Sequence, residues 1–145
     1  MKAQKFLNLL VVVLLATSLA SCGGPTKIDA TLTSYSITLS ATSGRAGEFI
    51  FHVTNAATDQ KHEFVIFKTD LPIDQLPMKD DGTGNMIVDE EGAGVTHIAE
   101  IAEFDAGTTQ DLTVTLEPGN YIIVCNLAVN TTHYLHGMRI AFTVK

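Results

Sequence analysis

The sequence predicts an all-β fold, a two-sheet antiparallel sandwich, from three observations. Short stretches rich in β-branched and aromatic residues alternate with polar residues at period two. Turn-forming Gly, Pro, Asp and Asn separate these stretches, and the chain shows no internal repeat, no heptads and no long amphipathic helix. About seven short strands of this kind fit one sandwich domain, and residues 22–145 are numerous enough for one hydrophobic core.

The first half of the chain contains three predicted strands. Residues 33–39 place an apolar or β-branched side chain at every second position, and the Gly-containing turn 44–47 follows. Residues 49–53 alternate in the same way, and residues 55–60 have the composition of a turn. Residues 62–67 then form a third predicted strand, which begins at a histidine.

Four more strands are predicted in the second half. Residues 98–104 form the fourth strand, and a turn leads into the fifth, residues 112–116, which carries its apolar side chains on one face. Pro118 and Gly119 make the next turn. Residues 121–125 and 138–144 are the last two strands, and each again shows large side chains at period two.

Residues 69–96 interrupt the strand pattern. They combine Gly and Pro with the acidic groups Asp80-Asp81 and Asp89-Glu90-Glu91, so we expect a long loop with a short helical turn near residues 76–79. Two interpretations of the carboxylates remain open: a solvated loop, or a docking surface that steers a basic partner protein by charge.

The N-terminus has the pattern of an export signal. Lys2 and Lys5 precede an apolar run over residues 6–20 that ends in small residues. Polar residues interrupt the run, and it is shorter than the roughly 20 apolar residues of a transmembrane helix. We therefore expect it to be removed rather than retained as a membrane span.

A cysteine follows this run. Leu19-Ala20-Ser21-Cys22 resembles the bacterial lipobox, which implies cleavage before Cys22 and acylation of its sulfur. The predicted organisation is a lipoprotein-type signal peptide at 1–21, a tether at 22–29 and one domain at 30–145. The domain is then lipid-anchored outside the cytoplasm, in the periplasm or at the cell surface. An ordinary secretory signal followed by an unmodified cysteine is the alternative.

The charge of the chain excludes some partners. Without Lys2 and Lys5, the mature chain has 7 Lys and Arg against 16 Asp and Glu, a net charge of −9. This balance argues against nucleic acid and against electrostatic adhesion to anionic lipid. We expect a monomer that meets basic protein partners and touches the membrane only through the anchor at Cys22.

Cys125 is the most informative residue of the composition. If Cys22 carries lipid, Cys125 has no intramolecular partner, although the compartment favours disulfides. Three roles are open to such a thiol: a small buried hydrophobic side chain, a catalytic nucleophile or a metal ligand.

Cys125, His133 and Met138 follow one another near the end of the chain. A strand ends at Cys125, seven residues separate it from His133, and four separate His133 from Met138 at the head of the last strand. Such a loop can bring the three side chains to one end of a sandwich, and His62 stands at the start of another strand. Because Cu(I) favours sulfur and Cu(II) favours imidazole nitrogen, this set suits copper in both oxidation states.

At these positions the sequence resembles the cupredoxin family. The similar segments, in the family's order, are residues 51–55, 62–66 and 117–121, Cys125 and residues 133–138. The resemblance implies a Greek-key β-sandwich that binds one type 1 copper ion, with His62, Cys125 and His133 as strong equatorial ligands and Met138 as the weak axial ligand. It also implies a non-enzymatic role, in which the protein shuttles single electrons between redox protein partners.

Several alternatives stay open. Glu63 departs from the family, where many members have Asn or Ser, which leaves open how the two ligand loops are tied together. His136 is an alternative to His133 as a ligand. A copper carrier or resistance protein is a second function, and a thiol enzyme is a third, although no group that would orient Cys125 and His133 for catalysis is evident nearby. Leu135, beside His133, marks an apolar edge where the resemblance implies that a partner docks.

Overall fold

The computed structural model describes residues 24–129 and 131–145. The predicted signal peptide at 1–21 and the predicted lipid attachment at Cys22 lie outside the described residues. Within the described residues there are thirteen strands and no α-helix, and accordingly no helix there is long and apolar enough to cross a membrane. The strands are β1 (Thr26–Thr33), β2 (Ser36–Leu39), β3 (Ser43–Gly44), β4 (Gly47–Asn55), β5 (His62–Lys68), β6 (Met78–Asp80), β7 (Met86–Val88), β8 (Thr96–Phe104), β9 (Thr109–Leu116), β10 (Gly119–Val124), β11 (Ala128–Val129), β12 (Thr131–Thr132) and β13 (Arg139–Val144).

Two main sheets form the sandwich, which confirms the predicted all-β class. The first sheet has the strand order β2-β1-β4-β9, and the second has the order β3-β13-β10-β5-β8. Two small hairpins, β6-β7 and β11-β12, stand apart from these sheets.

The sequence predicted antiparallel sheets. The structure differs in that two of the strand pairs run parallel. β1 pairs with β4, and β3 pairs with β13, in the parallel direction. The reason is topological: β2 folds back along the outer edge of β1 and β3 joins the other sheet, so the chain re-enters the first sheet along β4 in the direction of β1. Every other pair in the two main sheets is antiparallel.

The main core lies between the two sheets. Phe49, Phe51 and Val53 on β4 are fully buried and alternate with more exposed neighbours, as the period-two pattern predicts. Phe51 contacts the rings of Phe64 from β5 and Phe142 from β13 across the sandwich. These large side chains fix the spacing of the two sheets.

A second apolar cluster covers the outer face of the five-stranded sheet. β5 and β10 are buried on both faces, because the segment between β5 and β8 lies across them. The cluster joins side chains of that segment to side chains of the sheet and of the turn before β13. The segment contributes Leu71, Ile73, Leu76, Met78, Val88 and Val95, the sheet contributes Val65, Phe67, Ile122 and Val124, and the turn contributes Tyr134. Part of the predicted loop 69–96 therefore packs on the sheet, whereas residues 79–84 are exposed.

The expected helical turn near residues 76–79 is wrong, because β6 begins at Met78 and pairs with β7. The intervening turn requires Gly82 and Gly84, whose φ angles of 89° and 93° are unfavourable for other residues. Asp81 accepts hydrogen bonds from the backbone N–H and the hydroxyl of Thr83 in the same turn. Local hydrogen bonding of this kind favours a hairpin over a helix.

The predicted strand 33–39 is also wrong in detail. Thr33 pairs with Ser36, so a two-residue turn at Ser34 and Tyr35 divides the segment into β1 and β2. β1 begins at Thr26, four residues before the predicted start of the domain, because it pairs with β4 and buries Ile28 in the core. β1 therefore includes residues 26–29 of the predicted tether.

Candidate metal centre

The four predicted ligand residues lie at one end of the five-stranded sheet. His62 begins β5, Cys125 follows β10, and Met138 precedes β13, with His133 in the turn before it. β10 is antiparallel to both β5 and β13, so the start of β5, the end of β10 and the start of β13 lie at the same edge. All four residues are buried.

Three of the four side chains converge on one point. His62 Nδ1 lies 3.2 Å from His133 Nδ1, and Cys125 Sγ lies 3.2 Å from His133 Nδ1 and 3.6 Å from His62 Nδ1. A point equidistant from the three atoms is about 1.9 Å from each of them, close to the roughly 2.0–2.3 Å of metal–nitrogen and metal–sulfur bonds. The triangle therefore has the size that one metal ion requires.

Met138 is tied to two members of this triangle through its backbone. The Cys125 N–H donates to the Met138 carbonyl at 3.1 Å, and the Met138 N–H donates to the His133 carbonyl at 3.0 Å. The turn that returns the chain from His133 to Met138 contains Gly137 at a φ of 101°, which favours glycine. The Met138 side chain is fully buried at the same end of the sheet.

The structure does not bring His136 into this group. The side chain of His136 is exposed, and its Nδ1 lies 2.8 Å from Thr131 Oγ1. Among the residues described, the compact metal-binding group at this edge contains His62, Cys125 and His133. His133 is therefore favoured over its sequence alternative.

Burial determines the protonation of the three donor groups. It lowers the pKa of His62 to about 4, with a further contribution from the charge of His133, and it also lowers the pKa of His133. Both imidazoles are therefore neutral near pH 7, the form that binds metals. Burial raises the pKa of the Cys125 thiol to about 11, so a bound cation is what would favour the thiolate.

The ring nitrogens turned away from the triangle support the same interpretation. Nε2 of His62 and Nε2 of His133 are buried and make no hydrogen bond within residues 24–129 and 131–145. With the ring proton on Nε2, both Nδ1 lone pairs point to the position next to the sulfur. The donor set of two imidazole nitrogens, one thiolate and a nearby thioether is the set that suits copper.

Glu63 ties the two ligand segments together through its backbone. Its N–H donates to Cys125 Sγ at 3.3 Å, which links the start of β5 to the end of β10. Burial raises the pKa of the Glu63 carboxyl to about 7, and the neighbouring Glu100, Glu90 and Glu103 add to this rise. The departure from Asn or Ser at this position therefore leaves the link to the sulfur in place.

Asn126 is a supporting residue that sequence reasoning missed. Its side-chain oxygen accepts from the Val88 N–H at 2.7 Å, and its Nδ2 donates to the Val88 carbonyl at 3.1 Å and to Glu90 Oε1 at 3.0 Å. These bonds hold the segment after Cys125 against β7. The only signal in the sequence is an amide directly after the cysteine, and its partners lie 36 and 38 residues away along the chain.

Tyr134 holds the loop that carries His133. Its hydroxyl donates to the Ile73 carbonyl at 2.9 Å and accepts from the Leu76 N–H at 3.2 Å. Arg139 donates to the Tyr134 carbonyl at 3.0 Å and stacks its guanidinium over the ring. Leu135, the next residue, is half exposed at the surface.

No protein-family model matches the chain, and no curated protein sequence matches it. Solved structures do match it. An auracyanin from the photosynthetic bacterium Roseiflexus castenholzii, reduced with sodium dithionite, has a TM-score of 0.56 at 20% identity, over 85% of this chain and 99% of the auracyanin. Rusticyanin from Thiobacillus ferrooxidans has a TM-score of 0.52 at 17% identity, over 85% of this chain and 79% of the rusticyanin.

A third neighbour is an azurin from Methylomonas sp. strain J, with a TM-score of 0.50 at 14% identity, over 83% of this chain and 98% of the azurin. Auracyanin, rusticyanin and azurin are cupredoxins. The low identities establish a common architecture, and that architecture is the one that the sequence resemblance implied. The chain has the cupredoxin fold.

Proposed function

We propose that this protein binds one type 1 copper ion through His62, Cys125, His133 and Met138 and carries single electrons between redox proteins outside the cytoplasm. One observation carries the proposal: two imidazole nitrogens and a thiol sulfur, from segments up to 71 residues apart, lie within 3.2 to 3.6 Å of one another. Two sulfur donors and two imidazole nitrogen donors are the combination that favours copper.

The four side chains would hold copper in surroundings that hardly move. When bound, copper supplies a one-electron couple between Cu(I) and Cu(II). Backbone bonds of Cys125, His133 and Met138 to one another, and of Glu63 to the sulfur, hold the donors in place. His62, Cys125 and Met138 have no exposed surface, which excludes water from three of the four donors. Little rearrangement between oxidation states favours fast electron transfer.

The route for electrons would pass through His133. This residue lines a surface cavity of about 340 Å³ that Val129, Lys61 and Glu103 also line. Val129 and Leu135 are the half-exposed apolar side chains on this side of the molecule, and the Tyr35 ring contacts the His133 ring edge to face. A redox partner that docks against Leu135 would come close to the imidazole.

Burial of the donors favours an electron carrier over the alternative, a copper carrier or resistance protein. A protein that hands over the ion itself requires ligands that an acceptor can reach, whereas His62, Cys125 and Met138 have no exposed surface. The auracyanin neighbour was solved in a chemically reduced state, which fits the same redox role. We infer no catalytic activity for this chain.

The location belongs to the same proposal. Export, cleavage before Cys22 and acylation of its sulfur rest on the sequence pattern alone. A lipid anchor at Cys22 would keep a monomeric carrier at the membrane, in the periplasm or at the cell surface. The excess of acidic residues would favour basic redox partners.

The test is to purify the protein without its lipid, add Cu(II), and record visible absorption and electron spin resonance spectra. We expect an intense thiolate-to-Cu(II) band in the wild type and its loss in Cys125→Ser. His136→Ala is the matched control, because His136 lies in the same loop with its ring directed to Thr131. A wild type without the band, or a Cys125→Ser variant that keeps it, would refute the proposal.

A further inference from the structure

A second group of metal-binding side chains lies outside the copper centre. Glu90, His97 and Glu100 each offer a ligand atom, and these atoms lie within 4.8 Å of one another. His97 Nε2 is 3.5 Å from Glu100 Oε2 and 3.9 Å from Glu90 Oε2. The three residues are partly exposed, so an ion from solvent can reach them.

A bulge in β8 brings two of these residues to one face. Residues three apart in a regular strand point to opposite faces of the sheet. Phe67 pairs with His97, whereas the adjacent Ile66 pairs with Ala99, so Ile98 is an extra residue on β8. The bulge turns His97 and Glu100 to the same outer face of the five-stranded sheet. Bulges commonly redirect side chains in this way.

Buried contacts hold the ligand groups in position. Asn126 Nδ2 donates to Glu90 Oε1 at 3.0 Å, which leaves Oε2 of the same carboxylate facing His97. The Asn126 amide is itself buried and fixed by Val88. The ring of Phe67 packs edge to face against the His97 ring. Partners of this kind orient metal ligands and raise metal affinity.

The charge around the group favours a cation. Within residues 24–129 and 131–145, the ion pairs of Glu90 and Glu100 are with His97, and no Lys or Arg pairs with either of them. The carboxylates of Glu90 and Glu100 repel each other at a partly buried site, and a bound divalent ion would offset that repulsion.

We propose that Glu90, His97 and Glu100 bind a divalent transition-metal ion, for which Zn²⁺ is the best fit. Imidazole nitrogen and carboxylate oxygen are zinc ligands at about 2.0–2.2 Å, so neighbouring donors in a tetrahedral site lie roughly 3.3–3.6 Å apart. The observed 3.5 and 3.9 Å need only a small rotation of exposed side chains. Three protein ligands leave a fourth position for water.

This proposal is independent of the copper centre, and the experiment keeps the two apart. Zn²⁺ is titrated by calorimetry into the purified chain loaded with copper, and then into the Cys125→Ser variant, where the sulfur ligand of the copper centre is absent. The tested substitutions are His97→Gln and Glu100→Gln. His52→Gln is the matched control, because His52 is an exposed histidine next to Asp111 on the other sheet.

The expected result is one Zn²⁺ per chain in the wild type, in Cys125→Ser and in His52→Gln. Loss of a partner behind a ligand lowers metal affinity about 10- to 100-fold, so loss of a ligand in His97→Gln or Glu100→Gln should lower it by about 100-fold or more. A copper-loaded wild type that binds no Zn²⁺ would overturn the proposal. So would a His97→Gln variant that binds Zn²⁺ as tightly as His52→Gln.

Discussion

Asn126→Ala tests whether one buried amide holds the segment after Cys125 to the rest of the fold. Asn126 and Val88 are both buried, and the amide satisfies the N–H and the carbonyl of Val88 at 2.7 and 3.1 Å. Truncation leaves both backbone groups without partners, and a buried unsatisfied group costs about 1–3 kcal/mol. We expect the free energy of unfolding to fall by about 2–6 kcal/mol.

The measurement is urea unfolding of the copper-free protein, so that metal binding does not contribute to stability. Asn120→Ala is the control. Within the described part of the chain its amide makes a single exposed hydrogen bond, to Asp70 Oδ1 at 2.8 Å, and we expect a loss of about 0.5 kcal/mol or less. If the two variants unfold within about 0.5 kcal/mol of each other, the Asn126 amide does not hold this segment.

Three further predictions test the loop that carries His133, the core between the sheets and the apolar edge at Leu135. Tyr134→Phe removes the hydroxyl that joins the Ile73 carbonyl and the Leu76 N–H, so urea unfolding should show a loss of about 1–3 kcal/mol; an unchanged midpoint would contradict this role. Phe51→Ala opens a cavity between the sheets, where Phe51 is fully buried, and should cost about 3–5 kcal/mol in the same assay; a loss below about 1 kcal/mol would show that the sandwich closes over the gap. Leu135→Asp places a charge on the exposed apolar edge, so stopped-flow kinetics should show slower electron exchange with a redox partner and an unchanged visible spectrum; equal rates would count against docking at this edge.

Strands that bury one face in the core and expose the other could be predicted from the sequence. Phe49, Phe51 and Val53 alternate between buried and more exposed positions, and the structure places them as expected. Residues 62–67 do not alternate, because the segment after β5 covers the outer face of the sheet and buries both sides of the strand. Its β-branched and aromatic residues nevertheless indicate a strand.

The errors occurred where strand pairing overrode a local apolar pattern. Tyr35 continues an alternating pattern, yet it lies in a turn, because β2 pairs back on β1. Residues 76–79 suggested a helical turn, yet Met78 enters a hairpin whose apolar side chains pack on the sheet. A segment of this length takes the structure that its burial requires, whatever its local preference.

By itself the sequence determined the all-β class and the order of His62, Cys125, His133 and Met138 along the chain. Only the tertiary structure decided that three of these donors meet within 3.6 Å and that Asn126 supports them. It also decided that the bulge at Ile98 turns His97 towards Glu100. The physical reason is the same in each case: the contacts join segments that are remote in the chain. Their distances depend on strand register, and a period-two pattern fixes only which face each residue occupies.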